Sequence, residues 1–113
     1  MEYEIIKNTK GKDVAVIHLE GRLDALHSDK IEEKLLKLIE DGYINLILDM
    51  KQVDYLGSSG IRILLALNNR LEKIEGNLKI VNMPETGIKI LKTMEIIDRF
   101  SLYKNKEEAL NGF

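Results

Sequence analysis

Two serines stand between two glycines in "VDYLGSSGIRILLAL", residues 53–67, where an apolar strand pattern gives way to an apolar helical one. A hydroxyl at such a corner can cap a helix, attack an acyl group, bind an anion or accept a phosphoryl group. The cap is the simplest of these, because a serine oxygen ahead of a helix accepts one of the backbone N–H groups left unpaired by the first turn. One serine suffices for that, and a second hydroxyl is left over. A hydrolase nucleophile needs glycines two before and two after the serine. Around Ser59 those positions hold Gly57 and Ile61, and around Ser58 they hold Leu56 and Gly60, so each serine satisfies one side only. Its general base would be His18, inside a strand pattern, or His27, in the loop after Asp24. No phosphate-loop or dinucleotide glycine motif follows any strand, and no histidine pair or acidic cluster has metal-site spacing.

Phosphoryl acceptance has a direct physical basis here. Ser59 is expected at the N-terminus of a helix beginning near Gly60, where free N–H groups and the positive end of the helix dipole favour an anion. A phosphate brings about −1.5 to −2 charges and changes the surface of the corner outright. The geometry that caps a helix when unmodified can thus hold a switch when modified.

The elements that position this corner follow from periodicity. "YEIIKNTKGKDVAVIHLEG" reads as two strands joined by a turn at Asn8 to Lys12, and "VAVIHL" is apolar enough for a strand covered on both faces. Ile31, Leu35, Leu38 and Ile39 recur at helical spacing, and Gly42 closes that helix as its C-cap. "INLILDM" is a buried strand. After the serines, Ile61, Leu64, Leu65, Leu67, Leu71 and Ile74 form a helical stripe closing at Gly76. "LKIVNM" is a further buried strand ended by Pro84, "ETGIKILKTMEI" a helix with Ile88, Leu91 and Met94 inward, "FSLY" an edge strand and "NKEEALNGF" a last helical turn or two. The order ββαβαβαβα implies an α/β domain with a mixed, mostly parallel sheet of four to five strands. The N-terminal edge strand is antiparallel and about four helices pack the sheet.

Composition sets the frame. The 113 residues fit a single domain, 1–113, and a hydrophobic fraction of 44% with 32% charged residues supports a core. The net charge of −2, with signs interspersed, lacks the basic stripe of a nucleic-acid binder. Without cysteine there is no disulfide, thiolate metal site or cysteine nucleophile. The acidic N-terminus and short apolar runs match neither a secretory signal nor a membrane span, so a cytoplasmic location is expected.

At "VIHLEGRLDAL", "LILDMKQVDYLGSSGIRILL" and "LKIVNMPETGIKILKTMEIIDRF", followed by "KNKEEAL", the chain resembles the bacterial anti-sigma factor antagonists, small members of the STAS class. The resemblance spans essentially the whole chain, and its most specific elements are the G-x-L-D motif and the S-S-G-[IL] helix opening. It implies a partner-switching role. The unphosphorylated protein binds an anti-sigma factor that is also a GHKL-type serine kinase, and so frees the sigma factor. The kinase phosphorylates the serine before the glycine, here Ser59, and a PP2C-type phosphatase reverses this. The chain is then a substrate rather than an enzyme, with no cofactor, nucleic-acid partner or membrane partner. Ser58 and Gly60 match the neighbouring motif positions, and Asp24 matches the family's acidic residue near the phosphosite. Gly57 departs from the pattern, which has aspartate there. Residue chemistry leaves other roles open: Asp24 as cap of the first helix, Arg22 and Arg62 as solvated residues or phosphate partners, Met83 as a strand end. Loops at the carboxyl ends of parallel strands collect binding function, and that rule links Asp24, Ser59 and Met83. An alternative reading keeps the fold and makes the chain a scaffold of a stress-signalling complex or an accessory subunit of a lipid transporter.

Overall fold

The strands lie side by side in the order in which the chain makes them. A computed structural model describes residues 2–7, 13–111 and 113. In it β1 (Glu2–Lys7), β2 (Asp13–Leu23), β3 (Asn45–Leu56), β4 (Asn77–Val81) and β5 (Ser101–Tyr103) form one sheet of order β1-β2-β3-β4-β5. β1 is antiparallel to β2, and each later pair is parallel. Between them run α1 (Ser28–Glu40), α2 (Ser58–Lys73) and α3 (Glu85–Thr93), with a 3₁₀ turn at Ile97–Arg99, and α4 (Lys106–Asn111) follows β5. This is the mixed α/β architecture expected from the apolar runs. The proposed turn at Asn8 to Lys12 lies outside the described residues.

Since every crossover steps one strand in the same direction, right-handed connections place α1, α2 and α3 on one face of the sheet. Leu35 and Leu38 of α1, Leu64 and Leu67 of α2 and Leu91 of α3 are buried there against Ile17, Leu48 and Ile80. On the opposite face, among the described residues, α4 and Phe113 close over Val14, Val16, Ile47 and Val81. The "VAV" run is therefore covered on both sides, and cover ends at half-exposed His18. Gly42 closes α1 at φ 100°, its N–H donating to the Ile39 carbonyl at 3.0 Å.

Lys79 is the cation at the centre of the second face. Its Nζ donates to the Ala109 carbonyl at 2.7 Å and lies 3.8 Å from the Phe113 ring centroid and 5.0 Å from that of Tyr103. Methionine would keep the stem's volume but leave the carbonyl short of a donor. Lys79→Met is expected to cost about 1–3 kcal/mol of stability, since a buried acceptor stripped of its partner costs about that much. Urea unfolding measures it, and an unchanged midpoint would show that the ammonium does not hold α4.

Three details differ from the sequence pattern. β3 does not stop at Met50 but runs on to Leu56, pairing with β2 alone beyond Asp49 because β4 has only five residues. Register shifts accompany this extension, between His18 and Glu20 and between Gly21 and Arg22 on β2, and such bulges tighten twist and bend strands. The β2–β3 ribbon thus projects past the rest of the sheet and carries the serine corner at its tip. Ile74 and Met94 are exposed at 44% and 48%, because each follows the last buried turn of its helix, at Leu71 and Leu91. Finally, α2 begins at Ser58, two residues earlier than expected.

Candidate functional site

The tip of the ribbon joins two chain reversals. Leu23 and Leu56, the last residues of β2 and β3, are paired neighbours, and the Gly57 N–H donates to the Leu23 carbonyl at 3.1 Å. Gly57 then occupies the cap position of α2 with extended backbone, φ −97° and ψ −177°, and its carbonyl accepts the first helical bond from Ile61 at 3.1 Å. Neither serine caps the helix, contrary to the simplest sequence reading. Ser58 and Ser59 are instead its first two residues. Their N–H groups and that of Gly60 have no partner within the helix. No buried side-chain oxygen among the described residues lacks a partner, so the unpaired hydroxyl of Ser59 is one that water reaches.

Gly60 is a packing requirement. A Cβ there would lie 2.7 Å from Leu23 Cβ, 2.8 Å from the Leu23 carbonyl oxygen and 2.8 Å from Leu56 Cδ1. Helix α2 therefore seats its first turn directly on β2. Leu56 also approaches Gly87 of α3, where a Cβ would meet Met83 Sδ at 2.7 Å and Leu56 Cδ2 at 3.2 Å. Met83 is thereby brought to the same corner, as the strand-end rule anticipates. Leu56 and Ile61 are core residues.

Asp24 organises the other reversal. Its Oδ1 accepts the His27 N–H at 3.1 Å and lies 2.7 Å from His27 Nδ1, while Oδ2 accepts from Arg22 Nε at 3.0 Å. The His27 bond and then the Arg22 bond hold its carboxyl down at about 2. Asp24 caps the turn leading into α1, so the capping role and proximity to the serines coexist. Arg62, one turn after the serines on α2, pairs with α1. It lies 3.9 Å from Asp29 and 4.0 Å from Glu32 of α1. Neither histidine pairs with a serine: His27 is with Asp24, and His18 Nδ1 lies 2.8 Å from Asp49 Oδ2.

Sequence reasoning passed over two residues here. Leu26, in the Asp24 turn, is 82% exposed, and Tyr55 is 44% exposed. The Tyr55 ring occupies the space in front of Gly57, whose Cβ would fall 2.9 Å from Cε2 and 3.0 Å from the hydroxyl oxygen. An apolar residue in the polar run "DALHSD" was the available signal for Leu26. Nothing in the sequence marked Tyr55, because a strand was not expected to extend that far.

The His18 cluster is a separate electrostatic feature on the second face. Burial raises the Asp49 carboxyl, but hydrogen bonds from Asn82 Nδ2 at 2.9 Å, from the Lys51 N–H at 3.0 Å and with His18 outweigh it, leaving the group below its ordinary 3.8. A depressed carboxylate contributes stability that is present above its ordinary pKa and lost as pH falls through the folded value. Unfolding free energy is therefore expected to fall as pH drops through and below the ordinary carboxylate range, and Asp49→Asn to flatten that limb. An identical acid limb in the variant, in urea melts across that range, would remove Asp49 from the account.

A single α/β domain with a helix-opening serine pair at the tip of its central ribbon is what the fold and this corner define, and residues 5–109 match the STAS domain, so the chain belongs to that family. Among its relatives, the anti-sigma-F factor antagonist RsfB of Mycobacterium tuberculosis is 29% identical over 101 residues, 88% of this chain and 80% of that protein. The structure of TM1081 from Thermotoga maritima superposes with a TM-score of 0.89 at 14% identity, covering 98% of this chain and 92% of the other. Phosphorylated SpoIIAA, a Bacillus cell fate determinant, superposes with a TM-score of 0.67 at 20% identity, over 98% of both chains.

Proposed function

We propose that this chain, as one STAS domain over residues 1–113, is an anti-sigma factor antagonist that works by partner switching in the cytoplasm. Unmodified, it binds an anti-sigma factor that is also a GHKL-type serine kinase and so frees the sigma factor. Phosphate on Ser59 ends that binding, and a PP2C-type phosphatase restores it. The placement of Ser59 carries this reading: second residue of α2, hydroxyl unpaired, at the end of the sheet where Asp24, Met83 and the exposed Leu26 and Tyr55 also emerge. Exposed apolar groups around a small polar centre suit burial by another protein. RsfB, by its name, and SpoIIAA, by its phosphorylated form, support the reading.

The chain acts as substrate. Ser59 Oγ attacks the γ-phosphorus of ATP on the kinase, and the new O–P bond forms as the bond to the β,γ-bridging oxygen breaks. ADP leaves with that electron pair and the hydroxyl proton passes to a base of the kinase. The phosphate meets the positive end of α2, so the fold tolerates it, while the surface presented to the partner gains about −1.5 to −2 charges.

Incubation with ATP and its cognate kinase is expected to add one phosphate, located on Ser59 by mass spectrometry. Ser59→Ala should abolish it. Phosphate on Ser58 or Thr93, undiminished in Ser59→Ala, would sink the assignment.

A further inference from the structure

Arg22 and Tyr55 are not explained by capping or by packing. The Arg22 guanidinium carbon stands 4.3 Å from the Tyr55 ring centroid, while its Nε donates to Asp24 at 3.0 Å. Both side chains are exposed, at 56% for Arg22 and 44% for Tyr55, so burial does not force the pairing. The arrangement is fixed from behind. Arg22 and Tyr55 are paired neighbours across β2 and β3, one step before Leu23 and Leu56. The tyrosine ring also lies over Gly57, in space that any larger residue would fill. Since the Gly57 N–H is bonded to the Leu23 carbonyl and Gly57 caps α2, the stacked pair abuts the turn that opens into Ser58 and Ser59.

We propose that Arg22 is the group that receives the phosphate on Ser59, and that Tyr55, admitted by Gly57, is the positioning residue that keeps Arg22 at the corner. The proposal rests on Ser59 being the acceptor. A guanidinium can stack through its face and donate hydrogen bonds through its edge at the same time, which an ammonium cannot. In the unmodified protein the edge is given to Asp24. A phosphate offers a larger charge and three acceptor oxygens, in a geometry that suits bidentate pairing with arginine. Arg22 then leaves Asp24 for the phosphate while remaining on Tyr55, and Asp24 keeps only His27. The modification is thus transmitted to the turn that carries exposed Leu26, as well as adding charge at the serine.

The test uses the full chain with phosphoserine installed at position 59 during biosynthesis, followed by ³¹P NMR across pH at low ionic strength. The second ionisation of a phosphoserine is ordinarily at about pH 6, and a neighbouring cation lowers it. The native value is expected below that of Arg22→Ala by about half a unit, or about threefold in ionisation constant. Tyr55→Ala should move in the same direction as Arg22→Ala, and Tyr55→Phe should keep the native value. A purely structural role for either residue would not move the phosphate resonance. Equal ionisation in the native and Arg22→Ala proteins would overturn the proposal while leaving Ser59 as acceptor. Failure of the kinase to modify Ser59 would instead overturn the acceptor reading, on which the NMR of the installed phosphoserine has no bearing.

Discussion

Ser59→Asp is expected to weaken binding to the anti-sigma factor at least tenfold while leaving the thermal midpoint unchanged or slightly raised. Two opposite consequences of one charge produce this result. Within the free protein, aspartate at the second position of α2 meets unpaired N–H groups and the positive helix end, worth about 0.3–1 kcal/mol in its favour. Across an interface the same carboxylate must be stripped of water, without a partner that evolved to receive it. A tenfold loss corresponds to about 1.4 kcal/mol, well within the cost of a poorly matched interfacial charge. Calorimetric titration gives the affinity and a thermal melt gives the stability. Unchanged affinity would mean that charge at this position is not the switch, and a lowered midpoint would reassign the loss to the fold.

Gly60→Ala is expected to lower stability by about 2 kcal/mol, although alanine is the better helix former by about 1 kcal/mol. The added methyl has no room. It would meet the Leu23 Cβ at 2.7 Å and the Leu23 carbonyl oxygen at 2.8 Å, and that carbonyl is already accepting the Gly57 N–H. Relief requires α2 to lift from β2, which stretches this bond and opens the packing around Leu56. For a domain of this size the shift in midpoint is about 8 °C downward. A midpoint that rises, as helix propensity alone requires, would show that the corner is more pliant than its contacts imply. Gly60 in the S-S-G motif would then be kept for its neighbours in a complex rather than for the fold.

Much of this was legible in the chain itself. The buried runs "VAVIHL", "INLILDM" and "LKIVNM" identify their strands because a covered strand is apolar at successive positions, and the helical stripes of α1 and α2 identify the crossovers. Topology then follows from connection rules, and with it the gathering of Asp24, Ser59 and Met83 at one end of the sheet. Local signals lose force where pairing is one-sided. "KQVDY" has no apolar run, since beyond Asp49 β3 has a neighbour on one edge only, so the extension to Leu56 was invisible.

The sequence by itself determined the class of fold, the candidate serine and the end of the sheet on which it stands, because these depend on periodicity and on rules of connection. Only the tertiary structure decided that Gly57 rather than a serine caps α2, that Gly60 is held against Leu23, and that Tyr55 lies over Gly57 with Arg22 on its face. Each of these is a contact between residues whose positions depend on the register of β2 against β3. Bulges set that register, and no local pattern encodes it.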